Sequence, residues 1–345
     1  MPVKNKNSVN YTPIFIITPE ILNLAYDISA DLERIDIIRE KALTPQLRKE
    51  NRIKTIHSSL WIEANSLTLE QVTDIVNGKK VSGPKKDILE VKNAIIAYDE
   101  LLECNPYSEK DLLKQHQLLM NGLIKDAGKY RHAGIGVFSG KVPVHIAPPH
   151  QRVPFLVQNL LEWVKNEKLP QVVKSCIFHY EFEFIHPFSD GNGRMGRMWQ
   201  TLLLYQENPV FAWLPVESII AHNQKDYYRA LRRSTHHNDC GIFMRFMLSA
   251  IKKATAEFKE THQAKGIIHA GVSAGVIAGV KLTKTQEKIL SLIAKNNRIS
   301  QSEIAVKMKI NESTVYRNIE KLKKLEILER MGSDKTGVWV IVKPQ

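Results

Sequence analysis

The sequence predicts a mainly α-helical protein with one short β-hairpin and a second, smaller domain at its C-terminal end. Along most of the 345 residues, apolar positions recur at helical spacing behind polar N-cap patterns. The stretch 131–149 differs, because it combines glycines with β-forming residues around Ser139-Gly140-Lys141, a pattern typical of a hairpin. Residues 281–345 differ in charge, since they hold 14 Lys and Arg against 7 Asp and Glu.

The predicted helices begin at residues whose side chains can cap a helix N-terminus. Thr18-Pro19-Glu20 combines a cap, a first-turn proline and a first-turn acid. Thr68 opens a capping-box pattern with Gln71, and Ser108 opens a looser one. The helices are expected from Thr18 to about Arg39, from Thr68 to about Gly78, within 85–103, from Ser108 to about Gly122, and over 155–164, 172–184 and 194–206.

Composition narrows the class of protein. The chain is long enough for one large domain and one small one, and its net charge of +13 favours polyanionic partners. Three cysteines without a CxxC pair argue against a disulfide framework and a zinc site, and suit a reducing compartment. The polar N-terminus predicts no signal peptide, and no apolar run could span a bilayer. We therefore expect a cytoplasmic protein with no membrane partner.

The glycine-rich run HPFSDGNGRMGR lies directly before a predicted helix. A turn at Gly191-Asn192-Gly193 would place backbone N–H groups and the positive end of the helix dipole at one point, which favours an anion. Arg194 and Arg197, three residues apart on one helix face, could hold two phosphates. The run occupies residues 186–197, and its expected nucleotide-binding residues are Asp190, Gly191, Asn192, Gly193, Arg194, Met195, Gly196 and Arg197.

The same run offers a metal ligand and a base. Asp190, just before the turn, could hold Mg²⁺ that is shared with phosphates. His186 has a side chain suited to removing a proton from an incoming hydroxyl. Phe188 is predicted to anchor the loop in the core, and His179 to be a packed structural histidine. The run therefore predicts an enzyme that moves a nucleotidyl group.

This run resembles the Fic-domain signature HxFx(D/E)GN(G/K)RxxR at every specified position. The resemblance extends to the preceding helix, to Tyr130-Arg131 with its hairpin and to Tyr227-Tyr228, and it covers roughly residues 45–250. It implies a Fic-type helical bundle that transfers AMP from ATP to a Ser, Thr or Tyr hydroxyl of a target protein, and of itself, with release of pyrophosphate. A homodimer is plausible for the family.

The resemblance also implies residue roles. His186 would be the catalytic base and Asp190 would hold Mg²⁺ on the α- and β-phosphates. The amides of 191–193 and Arg194 would stabilise charge on the α-phosphate, and Arg197 would take the γ-phosphate. The hairpin 131–146 would dock the target segment by strand addition and cover the nucleotide. Further implied nucleotide contacts are Glu63, Ile135, Gly136, Val137, Phe138, Tyr227 and Tyr228.

An upstream segment resembles the inhibitory motif of the same family, (S/T)xxxE(G/N). Ser59 and Glu63 fit it, while Ala64 occupies the Gly or Asn place. The implied mechanism is that Glu63 pairs with Arg197, removes the γ-phosphate ligand and turns ATP into a non-productive pose. The alternative is a solvent-facing glutamate on an amphipathic helix. We expect an autoinhibited enzyme that Glu63→Gly activates and His186→Ala inactivates.

The C-terminal segment has the pattern helix, helix, turn, helix, hairpin. Ser300 opens a capping box with Glu303, and the third helix, 312–325, turns Val315, Ile319, Leu322 and Leu325 inward. The pattern resembles a winged helix-turn-helix, whose third helix enters the DNA major groove. The alternative is a protein-interaction or dimerisation module. The outward residues expected to contact DNA are Ser313, Thr314, Tyr316, Arg317 and Lys321.

These predictions divide the chain into an N-terminal helical region with the inhibitory helix (1–110), a catalytic core (111–265), a linker with glycines at four-residue intervals (266–281) and the winged helix-turn-helix (282–345). The expected substrate is ATP and the expected cofactor Mg²⁺. Two other functions stay open: a DNA-binding regulator whose Fic-like domain senses nucleotide, and a Fic enzyme that uses another nucleotide donor.

Overall fold

In a computed structural model, the chain divides into two units. The first comprises Met1–Arg39 and Leu43–Phe258, and the second Glu40–Ala42 and Lys259–Gln345. The structure describes residues 12–42, 45–134, 136–139, 142–274, 276–277, 280–297, 299–325, 327–331 and 338–341.

Where the structure describes it, the regular structure of the first unit is helical apart from one hairpin, which confirms the predicted fold class. The hairpin strands β1 (Gly136–Ser139) and β2 (Val142–Ile146) pair antiparallel, with an irregularity after Val137. Short 3-10 helices cover Leu101–Glu103, His150–Arg152 and Pro209–Ala212. The α-helices are α1 (Pro19–Ala42), α2 (Pro45–Ile62), α3 (Leu69–Val76), α4 (Lys85–Glu100), α5 (Glu109–Met120), α6 (Val153–Asn166), α7 (Gln171–Ile185), α8 (Asn192–Glu207), α9 (Val216–His222), α10 (Gln224–His237) and α11 (Gly241–Ala274), which continues beyond the end of this unit.

Side-chain caps explain where several helices begin. Thr68 caps α3 in a complete capping box with Gln71, and the Ser108 hydroxyl accepts from the backbone N–H of Asp111 at the start of α5. Helices α9, α10 and α11 have no predicted counterpart; Pro215 and Asn223 precede α9 and α10 without a side-chain cap bond.

Helices α7 and α8 form the centre of the first unit. Helix α7 is buried on nearly every side, which places it inside the bundle. Phe178 and Phe182 of α7 and Trp199 of α8 are 0% exposed. The loop that joins the two helices inserts Phe188, also 0% exposed, into the same core. Both ends of the loop are therefore held by packed helices, and Phe188 anchors the loop between them.

The second unit has its own hydrophobic core. The Trp339 indole N–H donates to the backbone oxygen of Ile299 at 2.9 Å, and Val315, Ile319 and Leu322 face inward as predicted. Leu325 is instead 39% exposed, because α14 ends one residue before it. The elements are β3 (Val276–Ile277), β4 (Val280–Lys281), α12 (Lys284–Lys295), α13 (Gln301–Met308), α14 (Glu312–Lys324), β5 (Leu328–Met331) and β6 (Val338–Ile341), with β3 antiparallel to β4 and β5 to β6.

Helices α12 to α14 followed by the β5–β6 pair confirm the predicted winged helix-turn-helix. The described part of the predicted linker is regular structure, since residues 266–274 are the end of α11 and the next four described residues are β3 and β4. The four-part division of the chain stays a prediction. Across the described ranges, no helix is both long and apolar enough to cross a membrane.

Candidate active site at the start of helix α8

The loop between α7 and α8 is closed by one side chain. The Oδ1 atom of Asn192 accepts the backbone N–H of Phe188 at 2.9 Å, and its Nδ2 donates to the Phe188 oxygen at 2.9 Å. Asn192 is 2% exposed. Its amide, predicted as a nucleotide contact, is therefore used to hold the loop. Gly191, the residue before α8, has a φ of 86°, a conformation that glycine adopts without strain.

The buried His116, which was not identified from the sequence, supports the loop through a ring stack and a hydrogen bond. His116 stacks on Phe188 with ring centroids 3.6 Å apart. Its Nδ1 accepts a hydrogen bond from the backbone N–H of Gly128 at 2.9 Å, so the ring proton lies on Nε2. The Nε2 atom donates to the backbone carbonyl oxygen of Asp190 at 3.0 Å. Burial lowers the pKa of His116 to about 4, which keeps the ring in this neutral form at physiological pH.

His186 begins the loop in the left-handed conformation, with a φ of 50°. Its backbone N–H bonds to the Phe182 oxygen at 2.9 Å and so caps α7. Its Nδ1 lies 3.3 Å from the backbone carbonyl oxygen of Glu183. This contact favours a proton on Nδ1 and leaves Nε2 as the basic nitrogen. The ring is half-buried. An unprotonated ring nitrogen on a partly exposed histidine is what a general base needs.

Arg194, in the first turn of α8, is held by two carboxylates. Its Nη1 donates to Glu90 Oε1 at 3.1 Å and its Nη2 to Asp190 Oδ1 at 2.9 Å. Arg194 and Glu90 are buried, whereas the side chain of Asp190 is 49% exposed. Asp190 Oδ1 also accepts the backbone N–H of Gly191 at 2.6 Å. No pattern in the sequence indicated Glu90, which lies 104 residues from Arg194 along the chain.

Arg197 is 1% exposed and is held by helix α2. Its Nε donates to Ser59 Oγ at 3.1 Å, and its Nη2 donates to the Ser59 oxygen at 3.0 Å and to Glu63 Oε1 at 2.7 Å. Burial alone would lower the pKa of Arg197, but the Glu63 carboxylate raises it above its usual value. A Cβ atom at Gly193 would overlap Glu63 Oε1. The carboxylate therefore lies against the turn predicted to bind phosphate.

Glu63 follows the last residue of α2, and the chain turns sharply after it. Ala64 has a φ of 66°, and its N–H bonds to the Trp61 oxygen at 3.0 Å. The Asn65 N–H bonds to the Leu60 oxygen at 3.1 Å, which completes a common helix C-terminal capping pattern. This turn fixes the direction in which Glu63 leaves the helix.

Helix α10 also holds the end of α2. The carbonyl oxygen of Ile62 accepts from Gln224 Nε2 at 2.8 Å and from the Tyr228 hydroxyl at 3.2 Å. Tyr227, the neighbouring residue, is 1% exposed, and its hydroxyl lies 3.1 Å from His179 Nε2. His179 is fully buried, as expected of a structural histidine.

Other predicted nucleotide contacts are placed as follows. Met195 is 0% exposed in the core, and Gly196 packs against His179, where a Cβ atom would lie 3.1 Å from the ring. Both residues are therefore enclosed by the protein. Gly136, Val137 and Phe138 form strand β1, and Ile135 lies outside the described residues.

Two further carboxyl groups that the sequence did not indicate lie near Arg197, the partly buried Glu183 and the buried Glu217. Burial, followed by the charge of Glu63, raises the pKa of Glu183 to about 8. Burial raises the pKa of Glu217 to about 7, and its Oε1 accepts from the Thr201 hydroxyl at 3.2 Å. Arg197 therefore pairs directly with Glu63, while burial shifts two further carboxyls near it towards the neutral form.

On the second unit, the predicted DNA contacts lie on the outer face of α14. Ser313, Tyr316, Arg317 and Lys321 are exposed, and Thr314 is half-buried. The Arg317 Nε donates to the Ser313 oxygen at 3.3 Å, within the same helix.

Comparison with known proteins agrees with both units. The Fic/DOC family profile matches residues 106–204, and a winged helix-turn-helix DNA-binding profile matches residues 282–343. The crystal structure of a Fic family protein from Desulfovibrio desulfuricans G20 is 40% identical, covers 97% of this chain and 100% of its own, and superimposes with a TM-score of 0.69. This chain belongs to the Fic family.

Two curated relatives carry an activity in their names. Protein adenylyltransferase Fic of Nematostella vectensis is 28% identical over 240 residues, which are 63% of this chain and 52% of the relative. A probable protein adenylyltransferase of Aquifex aeolicus (strain VF5) is 35% identical over 128 residues, 37% of each chain. This chain therefore spans about half the length of the first relative and just over a third of the second.

Proposed function

We propose that the protein is a protein adenylyltransferase, which transfers AMP from ATP to a hydroxyl of a target protein and of itself. The observation that carries the proposal is the pairing of a base with an anion site. His186 caps the end of α7, and α8, whose first turn carries Arg194, begins six residues later at Asn192. The names of the two curated relatives support the same activity.

In the proposed reaction, the target's hydroxyl oxygen attacks the α-phosphorus of ATP while His186 Nε2 accepts the hydroxyl proton. A bond forms between that oxygen and phosphorus, the bond to the bridging oxygen breaks, and pyrophosphate leaves. The N–H groups at the start of α8 and Arg194 stabilise the charge that develops on the α-phosphate. We propose that the hairpin presents the target segment and that Tyr228 borders the nucleotide.

Asp190 fits the role of a magnesium ligand. It contributes a half-exposed carboxylate beside the anion site, and Mg²⁺ commonly takes one or two carboxylates together with phosphate oxygens. Among the described residues, no group of three or more His, Cys, Asp or Glu side chains forms a complete metal site. Bound there, Mg²⁺ would neutralise charge on the phosphates.

We further propose that Glu63 inhibits the enzyme. Its carboxylate contacts Arg197 and lies against Gly193, in the region expected to take the γ-phosphate. A charged group in that place competes with a phosphate for the same donors. The alternative of a solvent-facing glutamate is disfavoured, because the side chain is only 30% exposed.

The test uses ATP labelled at either the α- or the γ-phosphate, with Mg²⁺ and the purified chain. We expect label from the α position to appear on the protein, and Glu63→Gly to increase it at least tenfold, since a charged hydrogen bond contributes about 1.5–3 kcal/mol. His186→Ala, made in the Glu63→Gly protein, should abolish it.

Other outcomes select the alternatives. Label from the γ position indicates phosphorylation, and labelling from GTP or UTP in preference to ATP indicates another donor. Binding of ATP without labelling in the Glu63→Gly protein would favour a nucleotide-sensing regulator. Equal labelling of wild type and the Glu63→Gly variant would exclude inhibition by Glu63.

A second candidate function is duplex DNA binding by the second unit. It rests on the exposed face of α14, where Arg317 and Lys321 accompany the hydroxyl groups of Ser313 and Tyr316. Winged helices place such a face in the major groove, and the matched family profile describes DNA-binding domains. A protein-interaction role for the same face is the alternative.

A further inference from the structure

Arg131 lies just before the hairpin and is 2% exposed. In the described part of the chain its guanidinium group has no carboxylate partner, and all three nitrogens donate to backbone oxygens instead. The Nε atom donates to the His186 oxygen at 2.7 Å, and Nη1 to the Ala133 oxygen at 2.9 Å. The Nη2 atom donates to the Pro148 oxygen at 2.5 Å and to the Ile185 oxygen at 3.3 Å.

These four oxygens belong to two different parts of the site. The oxygens of Ile185 and His186 are at the end of α7, where helix carbonyls have no partner in the helix itself. Ala133 precedes strand β1 and Pro148 follows strand β2, so they are the two ends of the hairpin. One side chain therefore joins both ends of the hairpin to the residue predicted as the base.

The bonding requires an arginine. Its planar guanidinium group offers five N–H donors in a fixed arrangement, whereas lysine offers three donors from a single atom. The backbone N–H of Arg131 adds a further bond, to the Pro187 oxygen at 3.0 Å. Burial lowers the pKa of Arg131, because the buried guanidinium loses its hydration. Neutral backbone oxygens replace the lost water, so the contacts of Arg131 are directional hydrogen bonds and not ion pairs.

We propose that Arg131 is a positioning residue, which couples the placement of the His186 backbone to the placement of the hairpin. The link to catalysis rests on the proposed function, because the hairpin would present the hydroxyl that His186 deprotonates. Arg131 itself would touch neither ATP nor the target. A purely stabilising role would instead support the fold without linking these two segments.

The test compares Arg131→Lys with Arg152→Lys, a matched control at an exposed arginine next to the hairpin. Both are made in the Glu63→Gly protein. Amide hydrogen exchange is followed in residues 131–149 and 185–188, together with ATP affinity and the rate of AMP incorporation. We expect Arg131→Lys to speed exchange in both segments and to slow AMP incorporation about 100-fold, the scale of a 1 Å misplacement.

The same variant should keep the Kd for ATP within about twofold of its parent, because Arg194, Arg197 and the start of α8 are untouched. Arg152→Lys should change none of these quantities. Faster exchange in only one segment, or a rate loss that matches a loss of ATP affinity and faster exchange throughout α7 and α8, would overturn the proposal.

Two further measurements keep the test decisive. If Arg131→Lys does not fold, exchange is measured on the wild-type protein in low urea, where both segments should open with the same urea dependence; separate dependences would refute the coupling. If the Glu63→Gly protein incorporates no AMP, the proposed function fails, while the exchange comparison still decides the role of Arg131.

Discussion

Ala64 occupies a place where the family's inhibitory motif has Gly or Asn, and its backbone shows why those residues suit it. With a φ of 66°, the residue lies in the left-handed region that glycine and asparagine adopt most readily. The turn is needed to close the α2 capping pattern next to Glu63. This protein therefore holds its proposed inhibitory glutamate through a strained alanine.

Ala64→Gly is expected to strengthen the inhibited state. Glycine relieves the left-handed strain but is more flexible in the unfolded chain, which offsets part of the effect. The free energy of unfolding should rise by about 0.5–1 kcal/mol. Urea unfolding should show this gain, and wild-type AMP incorporation should fall about two- to fivefold. Ala30→Gly, within helix α1, should instead lose up to about 1 kcal/mol. A destabilised Ala64→Gly protein would contradict the strain argument.

The buried histidines predict how stability depends on pH. Burial lowers the pKa of His116 to about 4 and that of His179 to about 3, below the ordinary 6.5. As the pH falls below about 6.5, these histidines bind protons in the unfolded chain but not in the folded one. The free energy of unfolding should therefore fall as the pH drops from about 6.5 to about 4.

For His116 alone, the loss between pH 7 and 4.5 is roughly 2–3 kcal/mol. Urea unfolding at several pH values measures it. His116→Gln removes the titrating group and should flatten this part of the pH dependence, whereas His237→Gln, on the exposed end of α10, should leave it unchanged. The same slope in His116→Gln and wild type would show that His116 is not the neutral group assumed.

At the scale of elements, the sequence was sufficient to predict features that depend on neighbouring residues, but not contacts between residues far apart in the chain. Helix α3 begins at its predicted cap because Thr68 and Gln71 satisfy each other within one turn. The run 186–197 was predicted as the site for the same reason, since the turn formed by its glycines and Asn192 depends on residues close together in the sequence. The side-chain partners of Arg131 lie up to 55 residues away, and no periodicity in the sequence relates them.

The contact between α10 and α2 leads to a prediction about inhibition. Gln224→Ala removes one of the two bonds to the Ile62 oxygen and should loosen the end of α2 that carries Glu63. A neutral hydrogen bond contributes about 0.5–1.5 kcal/mol, so AMP incorporation should rise about two- to tenfold, less than in Glu63→Gly. Lys225→Ala, an exposed neighbour, serves as the control. Unchanged labelling would separate α10 from the inhibition.

At the scale of the whole molecule, the two units have separate hydrophobic cores and carry different proposed activities. The C-terminal residues from 281 onward supply +7 of the net charge of +13. This concentration of charge was readable from the sequence, because it needs only counting. What the charge contacts depends on which side chains α14 turns outward, and the structure provides that information.

The second unit is expected to bind duplex DNA through phosphates. Arg317→Ala and Lys321→Ala should each weaken binding and, if each contacts one phosphate, reduce the slope of log K against log salt by about 1. Lys288→Ala, exposed on α12, is the matched control. Fluorescence anisotropy of a labelled duplex at several salt concentrations measures all three. Absence of binding by the wild type at low salt would favour a protein partner.

The contacts of Glu63 also bear on which nucleotides the resting protein would distinguish. Glu63 lies against Gly193 and Arg197, whereas Arg194 and Asp190 are bonded to each other. A carboxylate in that place would compete with the γ-phosphate of a nucleotide for the same donors, and would leave the sites of the α- and β-phosphates accessible. A diphosphate could then bind beside Glu63, while a triphosphate would have to displace it. The inhibited protein would respond to the ratio of triphosphate to diphosphate rather than to the total nucleotide.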